Sequence, residues 1–362
     1  MHLQHLDMRP LDIPFKTAFS HASAERNRTG TVLVVARSAE GSVGVGEGCP
    51  RDYVTGETLA SARAFFDRMQ GSTLALNDLK GLTDFVEHHQ REIDANPAAW
   101  CAIETAILDC MSREARCSIE QILGLSECVG RFQYSAVLGV ANASAFQKQL
   151  EQYLAVGFRD FKIKLSGRAE DDQARLALLA ERPDLRVRLD ANNLWEDSAV
   201  AIRYLETLPV TFWAIEEPLA TGDLAGCKHL AEALGVQVIL DESFLHAQQL
   251  DALVAHPDIW IPNLRVSKMG GVLRSLRVMQ QGAESGLQFI IGAQVGETSI
   301  LTRLALTLAN AQRAHVLAQE GAFGTHLLER DITSKPLMFG GGGTLNVDFR
   351  GSNGLGIDYD LL

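Results

Sequence analysis

The chain has 362 residues, 46% hydrophobic and 22% charged, with 10 prolines and 31 glycines spread along it. That length predicts about two domains, or one large α/β barrel with additions, and a core large enough to fold without disulfides or metal. A formal charge of −12 with no run of basic residues argues against a phosphate backbone as partner, so no nucleic acid is expected. Six cysteines (Cys49, Cys101, Cys110, Cys117, Cys128 and Cys227) form no C-x-x-C pair and read as reduced thiols. The first seven residues lack a basic region followed by an apolar run. No stretch approaches the ~18 apolar residues of a membrane span. A soluble, cytoplasmic protein without membrane contact is expected.

In chain order, residues 2–14, 30–38 and 43–48 read as strands, with a polar loop at 16–29 and another at 49–57. Apolar residues then recur at helical spacing over 57–70, 79–92 and 97–117, the last opening at Pro97. This predicts an α+β unit over 1–127. From residue 132 short apolar runs alternate with helical segments: 132–138, 161–165, 187–189, 212–215, 236–240, 259–264, 287–291 and 316–318. Eight such strands predict a closed α/β barrel of (β/α)7–8 TIM-like type over 128–330. The rival is an open doubly wound sheet, but no G-x-G-x-x-G follows its first strand. The glycine-rich stretch 331–362 is expected to pack back on the first unit, completing an N-terminal cap, with Gly340–Gly343 as a turn.

Lys164, Asp190, Glu216 and Asp241 end four successive predicted strands, 26, 26 and 25 residues apart. That is the repeat of one strand plus one helix, so the four side chains share one rim of the barrel, where active sites of such barrels are built. Three carboxylates at one rim repel unless a divalent cation joins them. Oxygen ligands alone favour Mg²⁺ over Zn²⁺, with Mn²⁺ as a substitute. Only eight of the 33 basic residues are lysine, yet Lys162 and Lys164 stand two apart and share a strand face. A second ammonium and a nearby dication lower the pKa of Lys164 and suit it to general-base work. The cation would bind a small substrate carboxylate and stabilise the enolate formed when the α-proton leaves.

These residues resemble the enolase superfamily, in its muconate-lactonizing-enzyme-like subgroup. The matching motifs are Lys162-Ile163-Lys164, Leu189-Asp190-Ala191-Asn192, Ile215-Glu216-Glu217-Pro218, Leu240-Asp241-Glu242-Ser243 and Lys268-Met269-Gly270-Gly271, with Gly46-Glu47-Gly48 and Ala102-Ile103-Glu104 in the cap. The resemblance implies a barrel with an α+β cap, Mg²⁺ on Asp190, Glu216 and Asp241, and Lys164 as base. It also implies specificity from cap loops at 17–29 and 49–57, and a homo-oligomer.

One departure stands out. Family members commonly place a catalytic lysine at the end of the sixth strand, in a Lys-x-x-Lys-x-Gly-Gly pattern. Here it reads Arg265-Val266-Ser267-Lys268-Met269-Gly270-Gly271. Arg265 lies 24 residues after Asp241 and takes the lysine's place; Lys268, at 27, matches the second lysine. Arginine stays protonated, which favours one-base chemistry such as cycloisomerisation or syn elimination. Lys268 becomes the second acid/base if the strand runs three residues longer, and the reaction is then amino-acid or dipeptide racemisation or epimerisation. A non-catalytic binding protein on the same fold is the remaining alternative. Asn192 in its rim motif, Glu297 (as a partner of Arg265), Glu320 (for a substrate amino group), and Arg51, Tyr53, Arg26 or Arg28 from the cap loops are the candidate substrate contacts. His326 reads as structural.

Overall fold

The computed structural model describes residues 1–21 and 24–359, without the side chains of 18–25, so the middle of the 17–29 loop lies outside the described residues. The first unit opens with β1 (Leu3–Leu11), β2 (Pro14–His21), β3 (Ala24–Arg28), β4 (Thr31–Ser38) and β5 (Val43–Gly48). β1, β4 and β5 form an antiparallel sheet in that order, while β2 and β3 pair with each other and β2 also bridges at Phe15 to Leu328. The expected strand 2–14 therefore breaks after Leu11, and the expected loop 16–29 contains a hairpin. A ribbon standing off the main sheet needs no alternating apolar face, so its sequence carries little strand signal.

Helices follow: α1 (Leu59–Thr73), α2 (Leu79–His88), α3 (Gln90–Asp94), α4 (Pro97–Glu114) and α5 (Ile119–Ile122). Thr58, Asp78 and Ser118 cap α1, α2 and α5 through their side-chain oxygens. α4 is buried almost end to end because β5 lies flat against it. A Cβ on Gly44, Gly46 or Gly48 would stand 2.2, 2.0 or 1.9 Å from the carbonyl oxygens of Ala106, Ala102 and Ala98. Glycine alone allows that approach.

The second unit runs β6 (Val129–Gln133), β7 (Ala136–Leu138), α6 (Ala143–Val156), β8 (Asp160–Lys164), α7 (Ala169–Ala180), β9 (Arg186–Asp190), α8 (Ser198–Leu205) and β10 (Ala214–Glu216). It continues through α9 (Leu224–Leu234), β11 (Gln237–Leu240), α10 (Leu250–Leu253), β12 (Trp260–Leu264), α11 (Val272–Glu284), β13 (Phe289–Ile291), α12 (Ser299–Ala311) and β14 (Val316–Gln319). Strands β7 to β14 are neighbours in chain order and all parallel. The Ser135 amide donates to the Gln319 carbonyl at 2.8 Å and joins the two ends of the sheet. Ala214, Ile239, Ile261, Ile290 and Ala318 pack together inside the barrel.

The expected first barrel strand, 132–138, is two strands. β6 leaves the barrel and pairs antiparallel with β15 (Thr344–Asp348), and only β7 enters it. Beyond β15 the chain crosses to the first unit. There the Leu355 amide and the Tyr359 hydroxyl donate to the two carboxylate oxygens of Asp109 on α4, at 2.8 and 2.7 Å. Among the described residues, no helix is long and apolar enough to cross a membrane.

Candidate active site at the carboxyl rim of the barrel

Lys164, Asp190 and Glu216 are the last residues of β8, β9 and β10, and Asp241 directly follows β11. Lys164 pairs in register with Asp190, and Asp190 with Glu216, so the parallel sheet alone brings them to one edge. The backbone bends sharply there: Asn192, Asn193 and Glu217 have φ of 44°, 60° and 40°. Such left-handed conformations cost energy outside glycine and cluster at functional sites. Glu217 secures the bend, accepting from the Asp241 amide (2.6 Å), the Ser243 amide (2.7 Å) and the Ser243 hydroxyl (2.7 Å). This gives the second glutamate of Ile215-Glu216-Glu217-Pro218 a role of its own: it fixes the turn that carries Asp241.

The three carboxylates are 2%, 2% and 1% exposed, and cations surround them. Lys162 Nζ lies 2.9 Å from Glu320 Oε2, 3.1 Å from Glu216 Oε2 and 3.5 Å from Asp190 Oδ2. Lys164 Nζ donates to Asn192 Oδ1 at 2.7 Å and stands 3.3 Å from Asp190 Oδ2. Arg265 and Lys268 both hold Asp241. Burial disfavours the charge on Lys162, but Glu216, Glu320 and Asp190 outweigh it and keep its pKa above the ordinary lysine value. Burial pushes Glu216 up, Asp190, Glu320 and Asp241 add to that, and Lys162 opposes them. Burial would also raise Asp241, yet Arg265 and Lys268 bring it below the usual carboxylate range.

As they stand, no three His, Cys, Asp or Glu side chains among the described residues gather closely enough to hold an ion; ammonium and guanidinium groups compensate the carboxylates instead. The donor set is nonetheless that of a hard divalent cation. It offers oxygen ligands only, from three carboxylates on three adjacent strand ends.

A small cavity opens above this rim, and Lys162, Lys164, Asp190, Asn192, Arg265, Tyr53, Glu297 and Glu320 all line it. Three expected contacts, and the alternative role of Lys268, need correction. Arg51 is fully buried and spends its guanidinium on the carbonyls of Gly30, Pro50, Thr29 and Val295 at 2.7–3.2 Å, so it ties the 49–57 loop down and is not among the residues that line the cavity. Lys268 donates to the Asp241 carbonyl, Asp241 Oδ1 and the Asn263 carbonyl at 2.7–2.9 Å. β12 ends at Leu264, and the ammonium has no hydrogen left for a substrate. Glu320 borders the cavity, but Lys162 and Arg188 (2.8 Å) engage both its oxygens. Glu297 does not pair with Arg265, whose partners are Asp241 and Gln294 Oε1; burial first, then Glu47, push the Glu297 carboxyl up to about 8.

Of the cap-loop arginines, Arg26 donates to the Thr29 carbonyl at 3.3 Å and Arg28 pairs with Asp12. His326 makes a structural contact, Nε2 to the Phe339 carbonyl at 2.8 Å. Arg188 escaped the sequence reading, although its place two residues before Asp190 puts both on the inward face of β9. It joins Glu320 to Asp160 through the barrel interior.

A family model described as "Mandelate racemase / muconate lactonizing enzyme, N-terminal domain" matches residues 4–124, and one described as "Enolase C-terminal domain-like" matches 145–361. The hydrophobic dipeptide epimerase of Enterococcus faecalis is 28% identical over 318 residues, 86% of this chain and 88% of that protein. The crystal structure of the Enterococcus faecalis dipeptide epimerase with Mg and L-Leu-L-Tyr superposes with a TM-score of 0.84 at 27% identity, covering 99% and 100% of the two chains. The L-Lys-D/L-Arg epimerase of Methylococcus capsulatus is 29% identical over 329 residues, 89% of each chain. The N-succinyl Arg/Lys racemase of Bacillus cereus shares the fold, with a TM-score of 0.88 at 20% identity over 99% and 96% of the chains.

Proposed function

This chain belongs to the mandelate racemase/muconate lactonizing enzyme family of the enolase superfamily, and on that premise we propose that it is an Mg²⁺-dependent racemase or epimerase of amino-acid-derived carboxylates, with Lys164 as base. The placement of Lys164 carries the reading: its Nζ borders the rim cavity, is oriented by Asn192 Oδ1 at 2.7 Å, and stands beside Asp190. Asp190, Glu216 and Asp241 would hold the metal, which supplies positive charge against the substrate carboxylate as the α-carbon becomes carbanionic. Lys164 takes the α-proton on Nζ. Lys162, kept charged by its carboxylate neighbours, adds a fixed positive charge beneath the same site. The activities of the relatives favour inversion at the α-carbon over the cycloisomerase chemistry that Arg265 alone suggests.

A second reading rests on one observation. Arg265 occupies the opposite side of the rim, with Asp241, Glu242 and Glu216 holding its pKa above the ordinary arginine value against the effect of burial, and Lys268 is fully engaged. In that reading the proton leaves and returns on the Lys164 face, with retention. One experiment separates the two: incubation in D₂O with Mg²⁺ and N-acylated amino acids, followed by NMR and optical rotation. α-Deuterium with loss of rotation supports inversion, and α-deuterium with rotation kept supports the one-base reading. Exchange should vanish in chelator, and should fall by about 10²–10⁴-fold in Lys164→Ala, the range of general-base contributions. Exchange that survives either change overturns the assignment.

A further inference from the structure

We infer that the end of the substrate remote from its carboxylate is uncharged and apolar, and lies in a cleft between α6, the loop after β14 and residues 339–341. The inference rests on Lys164 being the base.

The rim cavity has a volume of about 100 Å³, room for a carboxylate and its α-carbon but not for a whole amino-acid derivative. The rest of the substrate must leave it. Val137, Lys164, Phe323 and Leu327 border that cavity and also a second one of about 870 Å³, so the two meet at the base itself.

The larger cleft has a mostly apolar lining. Val140 and Val156 line it at 51% and 43% exposure, together with Tyr153 and Phe339. Single exposed valines are ordinary; two in one cleft that opens on a base mark a surface suited to an apolar occupant. Among the described side chains, Lys164 is the one lysine or arginine in the lining and no aspartate or glutamate lines it, while His326 is stacked on Phe339 at 4.6 Å with Nε2 on its carbonyl. Glu320, the acid of the eighth strand, is neutralised by Lys162 and Arg188. A substrate ammonium or second carboxylate entering the cleft would lose water and, the base Lys164 apart, meet no opposite charge among the described side chains, only neutral groups such as those of Thr17, Gln149 and Gln152. The relatives' names span hydrophobic, cationic and succinylated substrates, so this lining, and not the kinship, selects among them.

The test compares four N-acyl derivatives of the same L-amino acids by α-deuterium exchange: acetyl, hexanoyl, 6-aminohexanoyl and adipoyl. The three long chains have nearly equal length and differ in terminal charge. Hexanoyl should exceed both charged chains by about tenfold or more in kcat/KM, expressed in KM, as expected where a charged terminus loses water and meets no opposite charge. Val140→Asp combined with Val156→Glu should lower hexanoyl exchange, raise that of 6-aminohexanoyl, and leave acetyl within about twofold. Gln152→Glu, on the same wall, should shift the ratio in the same direction and serves if the double variant folds poorly. Equal rates for the three long chains, or an unmoved ratio with acetyl exchange intact, overturn the inference alone. Absence of exchange with all four, acetyl included, overturns the reading of Lys164 and the inference with it.

Discussion

Asp241 is gripped by two cations, and their roles differ although both come from one seven-residue motif. Arg265 reaches Asp241 from a position that also borders the cavity, whereas Lys268 does so from a fully buried turn. Lys268→Ala should therefore act on folding: it strips three donations from buried oxygens, two of them backbone carbonyls, and should cost at least about 1–3 kcal/mol in denaturant unfolding. A variant with parental stability but no turnover would show that the lysine meets the substrate after all. Arg265→Lys should act on chemistry. The ammonium is a point charge that releases a proton far more readily than a guanidinium, so the ratio of α-inversion to α-exchange should rise above the parent's. An unchanged ratio would place the second proton elsewhere. Spacing marked Arg265 and Lys268 as a pair, but only the end of β12 at Leu264 decides which one the rim presents.

Elements meet through buried carboxylates set on helix N-termini. Glu47 on β5 accepts from the Thr298 amide and hydroxyl at the start of α12 (3.1 and 2.7 Å). Glu104 on α4 accepts from the Leu273 amide of α11 at 3.1 Å. Glu57 takes the Ala98 and Ala99 amides of α4 at 2.9 and 3.1 Å. The glycine directly before α11 follows from this docking: a Cβ on Gly271, at φ +101°, would sit 2.3 Å from Glu104 Oε1. Helix ends favour anions by ~0.3–2 kcal/mol, less than the several kcal/mol of burying a carboxylate, and burial accordingly pushes all three up to about 7. The folded state thus holds protons that the unfolded chain releases near pH 4.5. The stability these groups contribute is full below that pH and is lost as pH rises through 7. Glu57→Gln should flatten part of the fall in Tm between pH 4.5 and 7; an unaltered slope would mean that Glu57 is ionised throughout. At this scale the barrel was legible, because each β-strand carries a short apolar run. The β2–β3 hairpin and the break between Gln133 and Ala136 were not, since neither alters apolar periodicity.

Across the whole molecule one apolar core runs from β1 through α4 and the outer faces of the barrel strands to Ile357. The rim was legible because parallel strands in register turn a spacing of about 26 residues into a shared edge. Arg51, Glu320 and Arg188 were misjudged or missed because spacing names the face a side chain leaves from, while its partners depend on neighbours far away in sequence. Val295 for Arg51 and Lys162 for Glu320 are such partners. Asp109 shows the same dependence at its longest range. Its buried carboxylate is met by the Val45 amide and Arg113 nearby, and by Leu355 and Tyr359 from 246 and 250 residues downstream. Ending the chain at residue 348 should cost at least about 3 kcal/mol in unfolding, given ~1.5–3 kcal/mol for each hydrogen bond to a charged group. Equal stability of the shortened chain would show that water replaces both donors. During synthesis α4 leaves the ribosome more than two hundred residues ahead of the segment that completes it. The amino-terminal unit cannot reach its final stability while the barrel is still being made, and its central helix waits, half satisfied, for the closing stretch of the polypeptide to arrive.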